Sequence, residues 1–145
     1  MRILYILAVT ALYFSDSALA AETVTKATMY KNPFCGCCEG HAEYLQKSGF
    51  DVTMVEVENL HAFKQEKGVP ESLEGCHTIM IGGYIVEGHV PVAPIKRLLA
   101  EHPQIKGISL PGMPEGSPGM GGAKTAPFKI LEIGGSQPPK VFTVE

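Results

Sequence analysis

The sequence predicts one mixed α/β domain with the element order β-α-β-α-β-β-α. Short runs rich in β-branched residues alternate with segments of helical spacing, and Gly82-Gly83 joins two strand-like runs as a hairpin turn. Three of the four cysteines, Cys35, Cys37 and Cys38, lie where the first helix is predicted to begin. A chain of 145 residues suits one domain with one core.

Each element follows from a local pattern. Alternation along residues 50–57 puts Phe50 and Val52 on the same side of a strand, and Cys38 and Leu45 share one face of a helix. The predicted strands are 24–30, 50–57, 77–81 and 84–87. The predicted helices are 37–48, 60–66 and 91–101.

The C-terminal part has a different composition. Glycine and proline dominate residues 107–122, where Met113 and Met120 occupy matching Pro-Gly-Met positions. This segment is either a flexible tail or an ordered loop, and the repeated methionines favour an ordered loop that wraps over the domain. The runs 128–133 and 141–144 predict a closing pair of strands.

The N-terminus has the pattern of a secretory signal peptide. A basic residue precedes an apolar run over 3–14, and Ala18 and Ala20 are small residues at the positions that a signal peptidase reads. We therefore expect residues 1–20 to be removed near Ala20, which leaves 21–145 as a single domain. The alternative is an uncleaved membrane anchor, but a spanning helix needs about 20 apolar residues, more than this run contains.

The charge balance argues against two classes of partner. The formal net charge is −3, and the sequence contains no basic run. We therefore expect no binding to nucleic acid or to an anionic lipid surface, and no membrane contact after signal cleavage.

Cys76, the fourth cysteine, stands just before the third predicted strand. We expect folding to bring it against Cys35, Cys37 and Cys38, which would make a thiol-rich site for a soft metal or for redox exchange. Outside the cytosol a disulfide is the alternative. Of the three pairings that four cysteines allow, we prefer Cys35–Cys38 with Cys37–Cys76, because the side chains of the neighbours Cys37 and Cys38 diverge along the backbone.

The start of the first helix is similar to the thioredoxin-like arrangement, in which a helix begins at a Cys-x-x-Cys after the first strand. In that fold a Pro-Thr pair opens the third strand, and its cis-proline faces the Cys-x-x-Cys. The equivalent residues here are Cys76-His77-Thr78, so the resemblance places Cys76 within reach of the cysteine loop. A cis bond before a residue other than proline costs about 3 kcal/mol, so we expect a trans bond before His77.

Four motifs extend the resemblance over nearly all of residues 21–145. They are Cys35-Gly36-Cys37-Cys38, Glu74-Gly75-Cys76-His77-Thr78, Tyr84-Ile85-Val86-Glu87-Gly88-His89-Val90-Pro91, and Leu110-Pro111-Gly112-Met113-Pro114 with Gly116-Ser117-Pro118-Gly119-Met120. In this order they are similar to a family of exported bacterial metal-binding proteins of unknown function that includes the CopG-type periplasmic copper-resistance proteins. The resemblance implies a thioredoxin-like fold, copper binding, a periplasmic location and a role in copper handling or resistance.

Copper fits the chemistry of the cysteines. Thiolates are soft ligands that match Cu(I), which also accepts thioether sulfur. We therefore expect Cys35, Cys37, Cys38 and Cys76 to bind one copper ion or a multinuclear cluster, with Zn(II) as a competitor because four thiolates also satisfy its tetrahedral preference.

Other side chains are secondary candidates. His77 is a candidate to supply a nitrogen ligand or a hydrogen bond to a sulfur, and the alternative is a structural role. Met113 and Met120 are interpreted as thioether ligands, as an apolar lid or as gap-filling core residues. His89 is expected to fix the turn before the last helix through hydrogen bonds. The histidines expected to be solvated on helix surfaces are His61 and His102.

Two functions remain open. As a binding module, the protein would take up Cu(I) and limit free copper or pass it to other periplasmic copper-handling proteins. As an oxidoreductase, it would use a Cys35–Cys38 disulfide to accept electrons from Cu(I) or from a partner thiol. The additional sulfurs of Cys37 and Cys76 favour binding, because a Cys-x-x-Cys enzyme needs neither.

Overall fold

A computed structural model describes residues 24–145, which contain three α-helices and one seven-stranded mixed sheet. The strands are β1 (Thr25–Lys31), β2 (Phe50–Glu56), β3 (Thr78–Ile81), β4 (Tyr84–Glu87), β5 (Gly107–Ser109), β6 (Lys129–Ile133) and β7 (Val141–Val144). The helices are α1 (Gly36–Lys47), α2 (Leu60–Glu66) and α3 (Val92–Glu101). The order of the strands in the sheet is β2-β1-β3-β4-β5-β6-β7. The predicted signal peptide lies outside the described residues.

The mixed α/β prediction is confirmed, and each predicted element forms within one residue of its expected ends. The main difference concerns residues 107–109, which the sequence places at the start of the Gly/Pro loop. They form β5, a strand between β4 and β6. Gly107 makes this possible, because its backbone lies so close to Ile85 that a side chain would collide with the Ile85 carbonyl.

The sheet is parallel at two places and antiparallel elsewhere. β1 pairs with β2 in parallel and with β3 antiparallel, while β4 pairs in parallel with β5. The two parallel neighbours are connected by helices, α1 between β1 and β2 and α3 between β4 and β5, as crossover connections require. The hairpins β3–β4 and β6–β7 complete the sheet.

Two apolar clusters cover the faces of the sheet. The larger joins buried side chains of α1 and α3 to strand residues such as Met29 and Val86. The smaller contains Val69, Leu73 and Ile85. Ile85 and Val86 are neighbours in β4 but belong to different clusters, because successive strand residues point to opposite faces.

The Gly/Pro segment after β5 lies against the cysteine-bearing elements at two points. Gly112 pairs with Gly75 in an isolated bridge, and its amide donates to the Glu74 carbonyl at 3.0 Å. Gly119 touches the backbone of α1 at Cys37 and His41, where no Cβ atom would fit. None of the helices in the described part of the chain is long and apolar enough to cross a membrane.

Candidate metal centre

The four cysteine sulfurs meet in one place. The Cys76 Sγ lies 3.3 Å from those of Cys35 and Cys37 and 3.4 Å from that of Cys38. The Sγ atoms of Cys35 and Cys37 are 3.5 Å apart. All four lie within 4.8 Å of one another, a spacing that could hold a metal ion. The structure therefore brings Cys76 to the cysteine loop, as the sequence predicts.

Strand register explains this meeting. β1 leads into the loop that begins α1, and Tyr30 near its end pairs with Thr78, the first residue of β3. The two residues before β3, Cys76 and His77, therefore lie beside the start of α1. The described residues have one cis peptide bond, which precedes Pro138, so the bond before His77 is trans as expected.

The sulfurs are in two chemical states. Cys35 and Cys38 form a disulfide, whereas Cys37 and Cys76 are free thiols. The first bond of the preferred oxidised state is present, and the second, Cys37–Cys76, is not. Burial raises the pKa of the Cys76 thiol to about 12, and its hydrogen bond with Cys37 adds to the effect. Cys76 is therefore protonated at neutral pH in the metal-free protein.

A buried ion pair supports the segment before β3. The Lys64 ammonium contacts the Glu87 carboxylate and also donates to the Gly75 carbonyl at 2.9 Å. Glu87 accepts from the Gly75 amide at 2.8 Å and from the Thr78 hydroxyl at 2.7 Å. Burial raises the pKa of the Glu87 carboxyl, an effect that Lys64 opposes. The pair holds the Gly75 backbone before Cys76 and the Thr78 side chain after it, and the sequence analysis does not predict the buried lysine.

A second cluster, which the sequence analysis does not predict, contains His41, His77 and His89. All three rings are fully buried, with centroids 4.7–5.1 Å apart. His41 Nδ1 lies 2.8 Å from His77 Nε2, and His41 Nε2 lies 3.0 Å from the Val90 carbonyl oxygen. His89 Nδ1 lies 2.7 Å from the carbonyl oxygen of Pro118.

Burial keeps these rings neutral. It lowers the pKa of His41 to about 4, with the nearby His89 adding to the shift, and it lowers the pKa of His77 and of His89 as well. Carbonyl oxygens only accept, so His41 carries its proton on Nε2 and His89 carries its proton on Nδ1. His77 Nε2 then donates to His41 Nδ1, which leaves His77 Nδ1 and His89 Nε2 as lone pairs without a partner among residues 24–145.

These positions differ from the sequence expectations for histidine. Among the described residues, the His77 ring bonds to His41 and not to a sulfur, and the His89 ring bonds to the Gly/Pro segment and not within its own turn. The one signal in the sequence is the spacing of Cys37 and His41, four residues apart on α1, which places both on one helical face. His61 and His102 are exposed, as predicted.

The two methionine candidates follow the two contact points of the Gly/Pro segment. Met113 comes directly after Gly112, which pairs beside Cys76, and Met120 comes directly after Gly119, which touches Cys37. Met113 is exposed and Met120 is half-buried. The fold therefore brings both methionines near the cysteine-bearing elements.

Comparison with known proteins identifies relatives of this fold and site. The family model described as "Protein of unknown function, DUF411" matches residues 73–120. Two solved structures of a copper resistance protein, copG in form 2 and form 1, are each 35% identical to this chain, with TM-scores of 0.78 and 0.77. Each covers 85% of this chain, which covers 99% and 98% of theirs. The chain belongs to the CopG-type family.

The segment that the family model matches contains part of the sulfur cluster and part of the histidine group. Residues 73–120 include Cys76, His77, His89 and both Pro-Gly-Met methionines. The CopG-type relatives are named for copper resistance, and the four converging sulfurs of this chain are able to hold a metal. No curated protein matches the sequence.

Proposed function

We propose that this protein binds Cu(I) through its four cysteines in periplasmic copper handling or resistance. One observation carries the proposal: sulfurs from two segments that are 41 residues apart converge within 4.8 Å. Soft sulfur donors without a nearby carboxylate in the same group favour Cu(I) over hard cations. The kinship with copper-resistance proteins agrees with this choice of metal.

The proposal includes a thioredoxin-like fold and export. The strand order β2-β1-β3-β4, with α1 beginning at the cysteine loop and α3 following β4, supports a thioredoxin-like core that β5–β7 extend. The N-terminal pattern supports cleavage near Ala20 and delivery of residues 21–145 to the periplasm.

Copper binding in this site requires two chemical changes. Two electrons from an external thiol reductant, which is itself oxidised to a disulfide, convert the Cys35–Cys38 disulfide to two thiolates, and the buried Cys76 thiol loses its proton to solvent as copper takes its place. The Lys64–Glu87 pair keeps the Cys76 segment in position during this exchange. Met113 and Met120 supply thioether sulfur from the segment that contacts the cysteine-bearing elements at Gly112 and Gly119, since Cu(I) accepts thioethers.

Anaerobic titration tests the binding function. The reduced, untagged protein is titrated with Cu(I) against a chromogenic Cu(I) chelator, and Cys35→Ser and Cys76→Ser are each expected to lower the copper stoichiometry. Met54→Leu is the matched control, because Met54 is an exposed sulfur residue on the edge strand β2. Wild-type stoichiometry in both cysteine variants would refute the proposal.

A second function, copper-linked or thiol–disulfide oxidoreduction, is favoured by one contact. The Cys76 sulfur lies within 3.4 Å of both atoms of the disulfide. Its thiolate could attack Cys38, which would form a Cys76–Cys38 bond and release Cys35 as a thiolate. Alternatively, the disulfide could accept one electron from each of two Cu(I) ions, which would leave as Cu(II) while two thiolates form.

The electron count tests this second function. Oxidised protein is mixed anaerobically with Cu(I), and Cu(II) is followed by electron paramagnetic resonance while thiols are counted. Two Cu(II) ions and two new thiols per chain are expected if the disulfide accepts the electrons. An unchanged thiol count with no Cu(II) signal leaves the protein as a binding module.

A further inference from the structure

The three buried histidines form a compact group next to the sulfur cluster. One ring nitrogen of each lies within 4.8 Å of the other two, and all three residues are fully buried. We propose that His41, His77 and His89 form a second metal site, which takes a divalent first-row ion of the kind that prefers imidazole, such as Cu(II) or Zn(II).

Two lone pairs in this group have no partner. His77 Nδ1 and His89 Nε2 are buried and make no hydrogen bond with the described residues. Buried polar atoms in folded proteins are nearly always satisfied by protein, by water or by an ion. Of these two nitrogens, His89 Nε2 is the one that a metal ion held between the three rings would satisfy directly.

Backbone carbonyls orient two of the rings in the way that metal sites use. The Val90 oxygen holds the N–H of His41, and the Pro118 oxygen holds the N–H of His89. A histidine that binds a metal normally donates its other N–H to a carbonyl or carboxylate, which sets the tautomer and the direction of the lone pair. His41 Nδ1 and His89 Nε2 are therefore presented as ligand atoms.

The ion would take the place of the proton between His41 and His77. These two nitrogens are 2.8 Å apart, and metal–nitrogen bonds of about 2.0–2.1 Å with a tetrahedral angle would separate them to about 3.3 Å. The His77 proton would then move to Nδ1, a nitrogen that bonds to no atom in the described part of the chain. His89 Nε2 completes a three-nitrogen set after small movements of the rings.

A buried charge pair and the Gly/Pro segment border the three rings. Lys64 lies close enough to His77 to lower its pKa, but its charge is offset by Glu87 in the same buried pair. Because the rings are fully buried, an ion would reach them only after a local opening of the fold, and the Pro118 segment, whose carbonyl bonds to His89, borders the group. The site is distinct in composition from the sulfur cluster, so the proposal does not depend on Cu(I) binding by the cysteines.

The experiment removes the competing thiols. In an untagged Cys37→Ser/Cys76→Ser background, the Cys35–Cys38 disulfide leaves no free thiol. We expect one equivalent of Cu(II) to bind with nitrogen hyperfine structure in its electron paramagnetic resonance spectrum. Adding His41→Phe is expected to weaken this binding at least tenfold, while His102→Asn, which removes an exposed imidazole, leaves it unchanged. Equal binding in all three proteins would overturn the proposal.

A second measurement replaces no histidine and so avoids the risk that His41→Phe misfolds. Zn(II) is added to the same Cys37→Ser/Cys76→Ser protein, and the histidine ring nitrogens are followed by long-range ¹H–¹⁵N nuclear magnetic resonance. Shifts at His41, His77 and His89 support the site. Shifts confined to the exposed His61 and His102, or no shifts at all, would overturn it.

Discussion

The Sγ atoms of Cys37 and Cys76 lie 3.3 Å apart, although 39 residues separate them in sequence, and both remain thiols beside the Cys35–Cys38 disulfide. Cys37 belongs to the first turn of α1, while Cys76 precedes β3. Their meeting depends on the register of β1 and β3, because a slip of one residue would turn the β3 side chains to the other face.

This arrangement predicts two classes of cysteine in metal-free, air-oxidised protein. Two thiols per chain should react with an alkylating reagent before reduction and four after it, and mass spectrometry should place the first two labels on Cys37 and Cys76. Cys76 should react slowly at neutral pH, because burial keeps its thiol protonated and the thiolate is the nucleophile. The reaction should accelerate as the pH rises towards 12.

A Cys37→Ser variant isolates the Cys76 reaction and serves as the control. In the wild-type protein, recovery of no reactive thiol before reduction would mean that Cys37 and Cys76 are also bonded in solution, contrary to the structure.

Most of the sulfur cluster could be predicted from the sequence, because it depends on local patterns and on one long-range strand pairing. The helix that begins at the cysteine loop and the Cys76 position before β3 follow from motif spacing. The histidine group depends instead on where three separate elements meet in space. Only the spacing of Cys37 and His41 is local, and the approach of His89 requires the packing of the Pro118 segment.

Two other features, the buried Lys64 and the strand β5, also depend on tertiary packing and are not predicted from the sequence. Lys64 lies on a short helix whose sequence reads as polar, and only the tertiary fold shows that its ammonium is buried against Glu87. The strand β5 is only three residues long and begins with glycine, so composition favours a loop, whereas pairing on both sides makes it a strand.

The Lys64–Glu87 pair predicts a large loss of stability when one partner is removed. Lys64→Met should lower the free energy of unfolding by about 3–5 kcal/mol, because the Glu87 carboxylate would stay buried without its ion partner. The comparison is Lys67→Met, which removes a partly exposed pair with Glu66 and should cost no more than about 1 kcal/mol. Urea unfolding measures both. Equal losses in the two variants would show that the buried pair contributes no more than the surface pair.

The lowered pKa of His41 predicts acid sensitivity of the metal-free protein. The unfolded chain binds a proton on this histidine near pH 6.5, whereas the folded protein binds it only near pH 4. The neutral His41 ring therefore makes its full contribution to the free energy of unfolding above pH 6.5. This contribution, up to about 3 kcal/mol, is lost as the pH falls towards 4. His77, His89 and Tyr44 face the ring, and Lys64 lies near His77.

Chemical unfolding at pH 7 and pH 4.5, with a chelator present, measures this effect. His41→Phe should show a smaller loss between the two pH values than wild type, and His102→Asn should behave like wild type because its ring is exposed. A pH dependence identical in His41→Phe and wild type would contradict the assignment to His41.

Gly119 packs closely against α1, and this packing is possible only because glycine has no side chain. We expect the packing to hold the Gly/Pro segment in place. Gly119 has a φ of +82° and lies against the His41 amide and the Cys37 carbonyl, so a methyl group there would push the segment away from α1. Gly119→Ala should therefore increase hydrogen exchange across residues 111–122 and weaken Cu(I) binding, because Met120 is proposed as a thioether ligand. Gly121→Ala is the matched control, since a Cβ atom at Gly121 meets nothing within 4 Å and needs no left-handed backbone. Similar exchange rates and copper affinities in the two variants would mean that the packing of Gly119 does not hold the segment over the site.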